Sequence, residues 1–164
     1  MTLNIGTIKT QFKSILDTAN TTTAAYDLSS GMTKRVQKVL KVNPSLISPQ
    51  ASFIPWVTIS TDRKSVEHTT IAKDQITGKR TGLVSFSVVG CVWEDIFSTV
   101  DVDPADENIE KLMENIEEVL RRNYRLNNSV DWTKTEEVSY HSLPIDEQTH
   151  MRVGVLNLTC RVQY

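Results

Sequence analysis

The sequence predicts an α+β fold: one domain over residues 1–164, an antiparallel or mixed twisted sheet with two helices packed on one face, and a long protruding arm at about 61–82. Three observations lead there. Asp103 to Asn123 keeps helical spacing along its whole length and is marked at both ends. Leu83 to Trp93 and Met151 to Tyr164 alternate apolar and polar residues as half-buried strands do. Between the strand-like Trp56 to Ser60 and Leu83, the chain spends about twenty mostly polar residues, long for an ordinary connection.

Bulk properties narrow the function. A chain of 164 residues, 39% hydrophobic and 23% charged, fits one core that buries roughly two-thirds of the unfolded surface. A net charge of −2 and a pI near 5.9 argue against a protein that holds nucleic acid by neutralising phosphates. No apolar run approaches a membrane span, and MTLNIGTIKTQFK at the N-terminus contains no apolar signal core, so no membrane partner is expected. Cys91 and Cys160 stand in separate runs without CxxC spacing, which favours buried small hydrophobes over a disulfide or metal ligands. There is no 20- to 50-residue repeat, and low complexity is confined to TANTTTAA.

In chain order, Ile5, Ile8, Phe12, Ile15 and Leu16 predict an amphipathic helix from about Asn4 to Thr18, ended by the polar run Asn20 to Thr23. Tyr26 to Asn43 interleaves Lys34, Arg35, Lys38 and Lys41 with Val36, Val39, Leu40 and Val42. No period wins, leaving a short helix or an irregular edge strand, and either a basic contact surface or a solvated face with apolar anchors. Pro44, Pro49 and Pro55 make Asn43 to Pro55 a surface connection. In Trp56 to Ser60, Val57 and Ile59 point one way and Thr58 the other. Thr61 to Gly82 has few apolar residues beyond Val66, Ile71 and Ile76, and Thr77-Gly78 and Thr81-Gly82 can turn. It reads as a protruding hairpin or arm.

In the next strand Val84, Phe86 and Val88 alternate with Ser85 and Ser87, then the apolar phase moves to Val89, Cys91 and Trp93 beside Gly90. The last strand changes phase likewise at Gly154, between Met151, Val153, Val155 and Leu156, Leu158, Cys160, Val162. A bulge or sharp coil at each glycine, and two neighbouring strands that bend together, are the expectation. In the main helix Ile109, Leu112, Met113, Ile116, Val119 and Leu120 form the buried stripe. Asp103 caps it, Pro104 takes the first position, and Glu107/Lys111, Glu117/Arg121 and Glu118/Arg122 are spaced to pair. Trp132 to His141 should be a polar strand with Val138 and Tyr140 inward, and Leu143 to Glu147 its hairpin turn. Trp93, Ile96, Phe97 and Val100 extend the apolar content past one helix-covered face, for further copies or a loop to cover.

Chemistry is not legible. His68, His141 and His150 are scattered without metal-ligand spacing. Glu94-Asp95 and Glu136-Glu137 are adjacent on strands, hence on opposite faces and unable to share a substrate. Ser30-Gly31 and Ser87 lack a nucleophile elbow, there is no phosphate-binding glycine loop, and both cysteines fall on the predicted inward face. The expectation is no enzyme, no cofactor, and no catalytic or metal-ligating residue.

The order of parts resembles the tail terminator (tail completion) proteins of long-tailed bacteriophages: a leading helix, the basic KRVQKVLKVNP, PWVTIST, a polar arm, RTGLVSFSVVGCVWED, the ENIEKLMENIEEVLRRN helix and the closing HMRVGVLNLTCRVQY. The likeness covers the chain from about residue 5. It implies an α+β subunit that forms a ring, a hexamer, at the head-proximal end of the tail. Such a ring stops tube polymerisation and offers a surface to the neck. The implied partners are further copies of the chain, the tail tube protein, a neck or head-completion protein and, in a contractile tail, the sheath protein. DNA would only pass through the channel, which an acidic balance suits. The implied location is the virion tail or neck, after assembly in the host cytoplasm. Candidate interface residues are Asp74, Lys79 and Arg80 in the arm, Lys34, Arg35, Lys38 and Lys41 in the basic segment, and Tyr164. A neck or head–tail connector is the alternative from the same particle; a small α+β ligand-binding domain or enzyme is the alternative of another class.

Overall fold

A computed structural model describes residues 4–43, 55–68, 80–95, 104–144 and 149–163. Asn4 accepts a hydrogen bond from the Thr7 N–H at 3.1 Å and so starts helix α1, Ile5–Ala19, which ends at Asn20. Its Ile8, Phe12, Ile15 and Leu16 are buried, and the Phe12 ring packs tilted on Phe86 with centroids 5.2 Å apart. Helix α2, Pro104–Arg122, buries all six expected stripe residues. Asp103, the expected cap, lies outside the described residues. On the wet face Glu107 and Lys111 lie 3.7 Å apart, and Glu118 holds both Arg121 and Arg122. Glu117 does not bond Arg121; its carboxylate accepts from Thr135 Oγ1 at 3.2 Å, so it is turned toward the sheet.

The strands are β1 (Lys38–Leu40), β2 (Trp56–His68), β3 (Arg80–Asp95), β4 (Trp132–Pro144) and β5 (Thr149–Gln163). They form one mixed sheet in the order β1-β2-β3-β5-β4, with β1 parallel to β2 and the other pairs antiparallel. The helix residues share one apolar cluster with Val57, Ile59, Val84, Phe86, Val88, Leu156 and Leu158, so both helices cover the same face. This is the predicted α+β arrangement.

The ambiguous segment after α1 is a run of turns leading into an edge strand, and side chains satisfy its backbone. Asn20 Nδ2 donates to Val36 O, Ser29 Oγ accepts from Val36 N–H, and Asn115 Nδ2 donates to Leu28 O and Ser30 O. Asn108, on α2, accepts from Thr33 N–H at 3.0 Å. Bonds of this kind replace a helical or strand ladder, which is why neither period governs the segment.

β2 and β3 are longer than the sequence suggested. Their ladder continues to His68↔Arg80, so 61–68 and 80–82 of the expected arm are paired strand; 69–79, with Asp74 and Lys79, lies outside the described residues. Backbone pairing does not require apolar side chains, and the apolar pattern stops before the hydrogen bonding does.

The bulges expected at Gly90 and Gly154 are absent. The β3–β5 register runs unbroken from Thr81↔Gln163 to Asp95↔Thr149, with the two glycines directly opposed. Register shifts occur instead at Thr61/Arg63 and Thr135/Glu137. The apolar phase changes because this part of the sheet is buried on both faces: Trp56, Val89, Cys91 and Val153 form a second cluster on the far side. For the same reason Thr58, on the side opposite Val57 and Ile59, is fully buried too, its hydroxyl bonded to Val42 O. The glycines serve α2. A Cβ on Gly90 would lie 2.9 Å from Leu112 Cδ2, and one on Gly154 would lie 2.7 Å from Met113 Sδ.

In β4, Val138 packs against the core, and Tyr140, paired with Gly154, lies on the same helix-covered face but at its rim. It stands 46% exposed at the sheet's outer edge, with no strand beyond β4 among the described residues to close over it. Leu143 and Pro144, expected in the turn, still pair with Met151 and His150. Residues 145–148 and the proposed contact Tyr164 lie outside the described residues.

Candidate interaction surface

The far face of the sheet has two halves. Trp56, Cys91 and Val153 make one apolar. Ser85, Ser87, Asn157 and Thr159 make the other polar, as the alternation in β5 predicts. Ser87 Oγ lies 2.9 Å from the Asn157 amide and also bonds Asp62. One hydroxyl proton cannot serve two acceptors, so the amide is turned to donate to Ser87, which donates to Asp62. Thr159 Oγ1 donates to Glu136 at 2.7 Å. Glu136 and Glu137 are not on opposite faces as expected: the register shift makes Glu136 the extra residue, and it reaches Thr159 on the side where Glu137 opposes Asn157.

Of the basic residues, Lys34 is exposed in the turn before β1, and Lys38 is exposed on the strand. Lys41, also exposed, donates to Thr10 Oγ1 at 3.0 Å. Arg35 is engaged in the fold. It grips Asp27 with two bonds, 2.7 and 2.9 Å, and these, ahead of the Ser29 N–H, hold the Asp27 carboxyl below the ordinary carboxylate value despite partial burial. Arg80 opens β3 opposite His68. The structure therefore gathers Lys34, Lys38 and Lys41 near one sheet edge and sets Arg80 at the end of the β2–β3 ladder.

At the other edge Tyr140 lies near a row of carboxylates on one stripe of α2. Burial first, then Glu110, Glu114, Glu117 and Asp106 of α2, push its hydroxyl above the ordinary tyrosine value. The helical signal of α2 concealed this stripe, because its acids looked like half of a solvated face.

Catalytic groups do not converge among the described residues. Cys91 and Cys160 are both free and buried, but on opposite faces of the sheet, and burial pushes each thiol up to about 12. His141 is exposed, with its Nε2 3.3 Å from Ser139 Oγ. No group of histidine, cysteine and acidic residues there could hold a metal ion. An open groove of about 470 Å3 runs between α1, the 20–26 turns and the end of α2, lined by Ser14, Thr18, Thr23, Tyr26, Asn123 and Asn127 among others. Its lining has hydroxyls, amides and methyls, with Tyr26 a titratable side chain among them. No described helix is long and apolar enough to cross a membrane.

No protein-family model matches the chain, and a comparison with curated proteins gives no match.

Proposed function

We propose that this chain is a structural subunit of a phage virion, a tail terminator that assembles with further copies into a six-membered ring on the head-proximal end of the tail tube. The observation that carries the reading is the order of parts, two helices and the strands of the one sheet they cover: a leading helix, a basic edge strand, a β2–β3 hairpin ladder, a long amphipathic helix and a closing strand. Added support comes from the sheet itself, whose outer strands β1 and β4 each pair on one side only among the described residues. Capping is then a matter of shape. The ring covers the last unsatisfied surface of the tube protein, presents a different surface to a neck or head-completion protein, and ends growth. In a contractile tail it also meets the last sheath layer. Modest contacts repeated around a closed ring add through avidity.

Electron microscopy of particles assembled without this protein tests the reading. Overlong or headless tails are expected. Tails of normal length beside unattached heads would assign the chain to a connector instead, and ordinary infectious particles would sink both.

A further inference from the structure

The two edges of the sheet carry opposite charge. At the β1 edge Lys34, Lys38 and Lys41 are exposed, and the Asp17 and Asp27 carboxylates bond Lys13 and Arg35. At the β4 edge, α2 presents Asp106, Glu110, Glu114 and Glu117 at spacings that align them on one stripe beside Tyr140. Asp106 is taken by Arg152, and Glu117 accepts from Thr135. Glu110 and Glu114, exposed and one turn apart, repel each other and bond no cation among the described residues. Other cations on these elements are engaged or distant: Lys111 lies by Glu107, Arg121 and Arg122 bond Glu118, and Lys134 is about 20 Å along β4 from Tyr140.

Exposed apolar side chains follow the same division. Tyr26 and Tyr124 lie beneath the guanidinium groups of Arg122 and Arg125. The remaining large ones among the described residues sit at the two edges: Val42, 40% exposed, just past β1, and Tyr140 and Leu143, 46% and 47% exposed, on β4. The outer backbone of β4 pairs with no strand among the described residues.

We propose that the β4 edge, with Tyr140, Leu143, Glu110 and Glu114, receives the β1 edge of a second copy of this chain. This rests on the ring reading above and adds which flanks meet. The contact joins unlike surfaces, so a copy engaged at one edge keeps the other free, and contacts continue until rotation closes them. From the strand order, β4 and an incoming β1 run antiparallel when the helices of both copies lie on the same side of one extended sheet. Such an edge is otherwise a site for uncontrolled pairing, and the charges choose its partner.

Sedimentation of two variants, Glu110→Lys/Glu114→Lys and Lys38→Glu/Lys41→Glu, tests the pairing. Alone, each sets like charge against like, and association falls at least ~10-fold; mixed in equal amounts, every contact again joins opposite charges and assembly returns. If each variant assembles alone as well as the native chain, or if the mixture of two cooperatively melting variants stays dissociated, the assignment of these edges is overturned. A native chain that remains monomeric at every concentration removes the second copy as occupant. Tail length in particles lacking the protein decides the terminator reading independently of all three results. Should a variant fail to fold, the native chain still decides: salt raised well above the physiological range must weaken association several-fold, and a salt-insensitive assembly overturns the proposal.

Discussion

The helix-covered face of the sheet and its far face are made by alternate residues of the same strands, yet they are finished in different ways. On the covered face Val84, Phe86, Val88, Leu156 and Leu158 are buried under two helices, and opposed glycines interrupt the pattern where α2 packs on the sheet. On the far face, Val89, Cys91 and Val153 give way within a few residues to Ser87, Ser85, Asn157 and Thr159, held by hydroxyl, amide and carboxylate bonds. A single strand thus passes from burial on both sides to burial on one. Apolar transfer supports the first condition, and local hydrogen bonding the second.

Four measurements press on that difference. The largest effect is expected at the thiols. With pKa values of about 12, Cys91 and Cys160 should react with a thiol reagent at pH 8 roughly a thousandfold more slowly than in the unfolded chain. The two lie on opposite faces, so faster labelling of Cys91 alone would show that the far face opens more readily. Next, Phe86→Ala should cost about 4 kcal/mol in urea unfolding, since it removes a fully buried ring that packs on Phe12. Its neighbour across the sheet plane, Ser87→Ala, should cost under ~1 kcal/mol, which makes the pair a direct comparison of the faces. A Ser87→Ala loss near that of Phe86→Ala would erase the distinction drawn here.

Smaller than the phenylalanine effect, Gly154→Ala should destabilise by about 2 kcal/mol through overpacking on Met113. Combined with Met113→Ala it should cost less than the sum of the two single changes; simple additivity would show that the methionine is not what the glycine accommodates. The smallest effect belongs to the edge. Asp27 titrates below its ordinary 3.8 because Arg35 holds the carboxylate. Its contribution is therefore present above the unfolded value and lost as pH falls through the folded one. Asp27→Asn should lower the melting temperature by a few degrees at pH 7 and by less near pH 3, and an equal loss at both would exclude the ion pair as the cause.

Much of the fold was readable because its elements are amphipathic. Both helices, the pairing of β3 with β5 and the buried stripe of α2 follow from spacing. Two things were not readable. Alternation loses its meaning where both faces are covered, so Gly90 and Gly154 imitated bulges. Order held by amides and hydroxyls leaves no period at all, and Asn20, Ser29, Asn108 and Asn115 fix residues 28–36 without announcing it. Of the candidate contacts, exposure of Lys34, Lys38 and Lys41 follows from composition, but the partner of Arg35 eight residues upstream does not. The carboxylates near Tyr140 required the sheet to set β4 beside α2.

The opposed glycines also reach beyond the core. Because nothing projects from the sheet at Gly90 and Gly154, Leu112 and Met113 settle almost onto its backbone, and α2 is seated at a depth that no other residue pair would permit. That depth fixes how far Glu110 and Glu114, on the helix's outer surface, stand above Tyr140 on β4. A methyl group added deep inside would therefore be felt at the rim, as a helix raised off its bed and a row of charges moved out of reach.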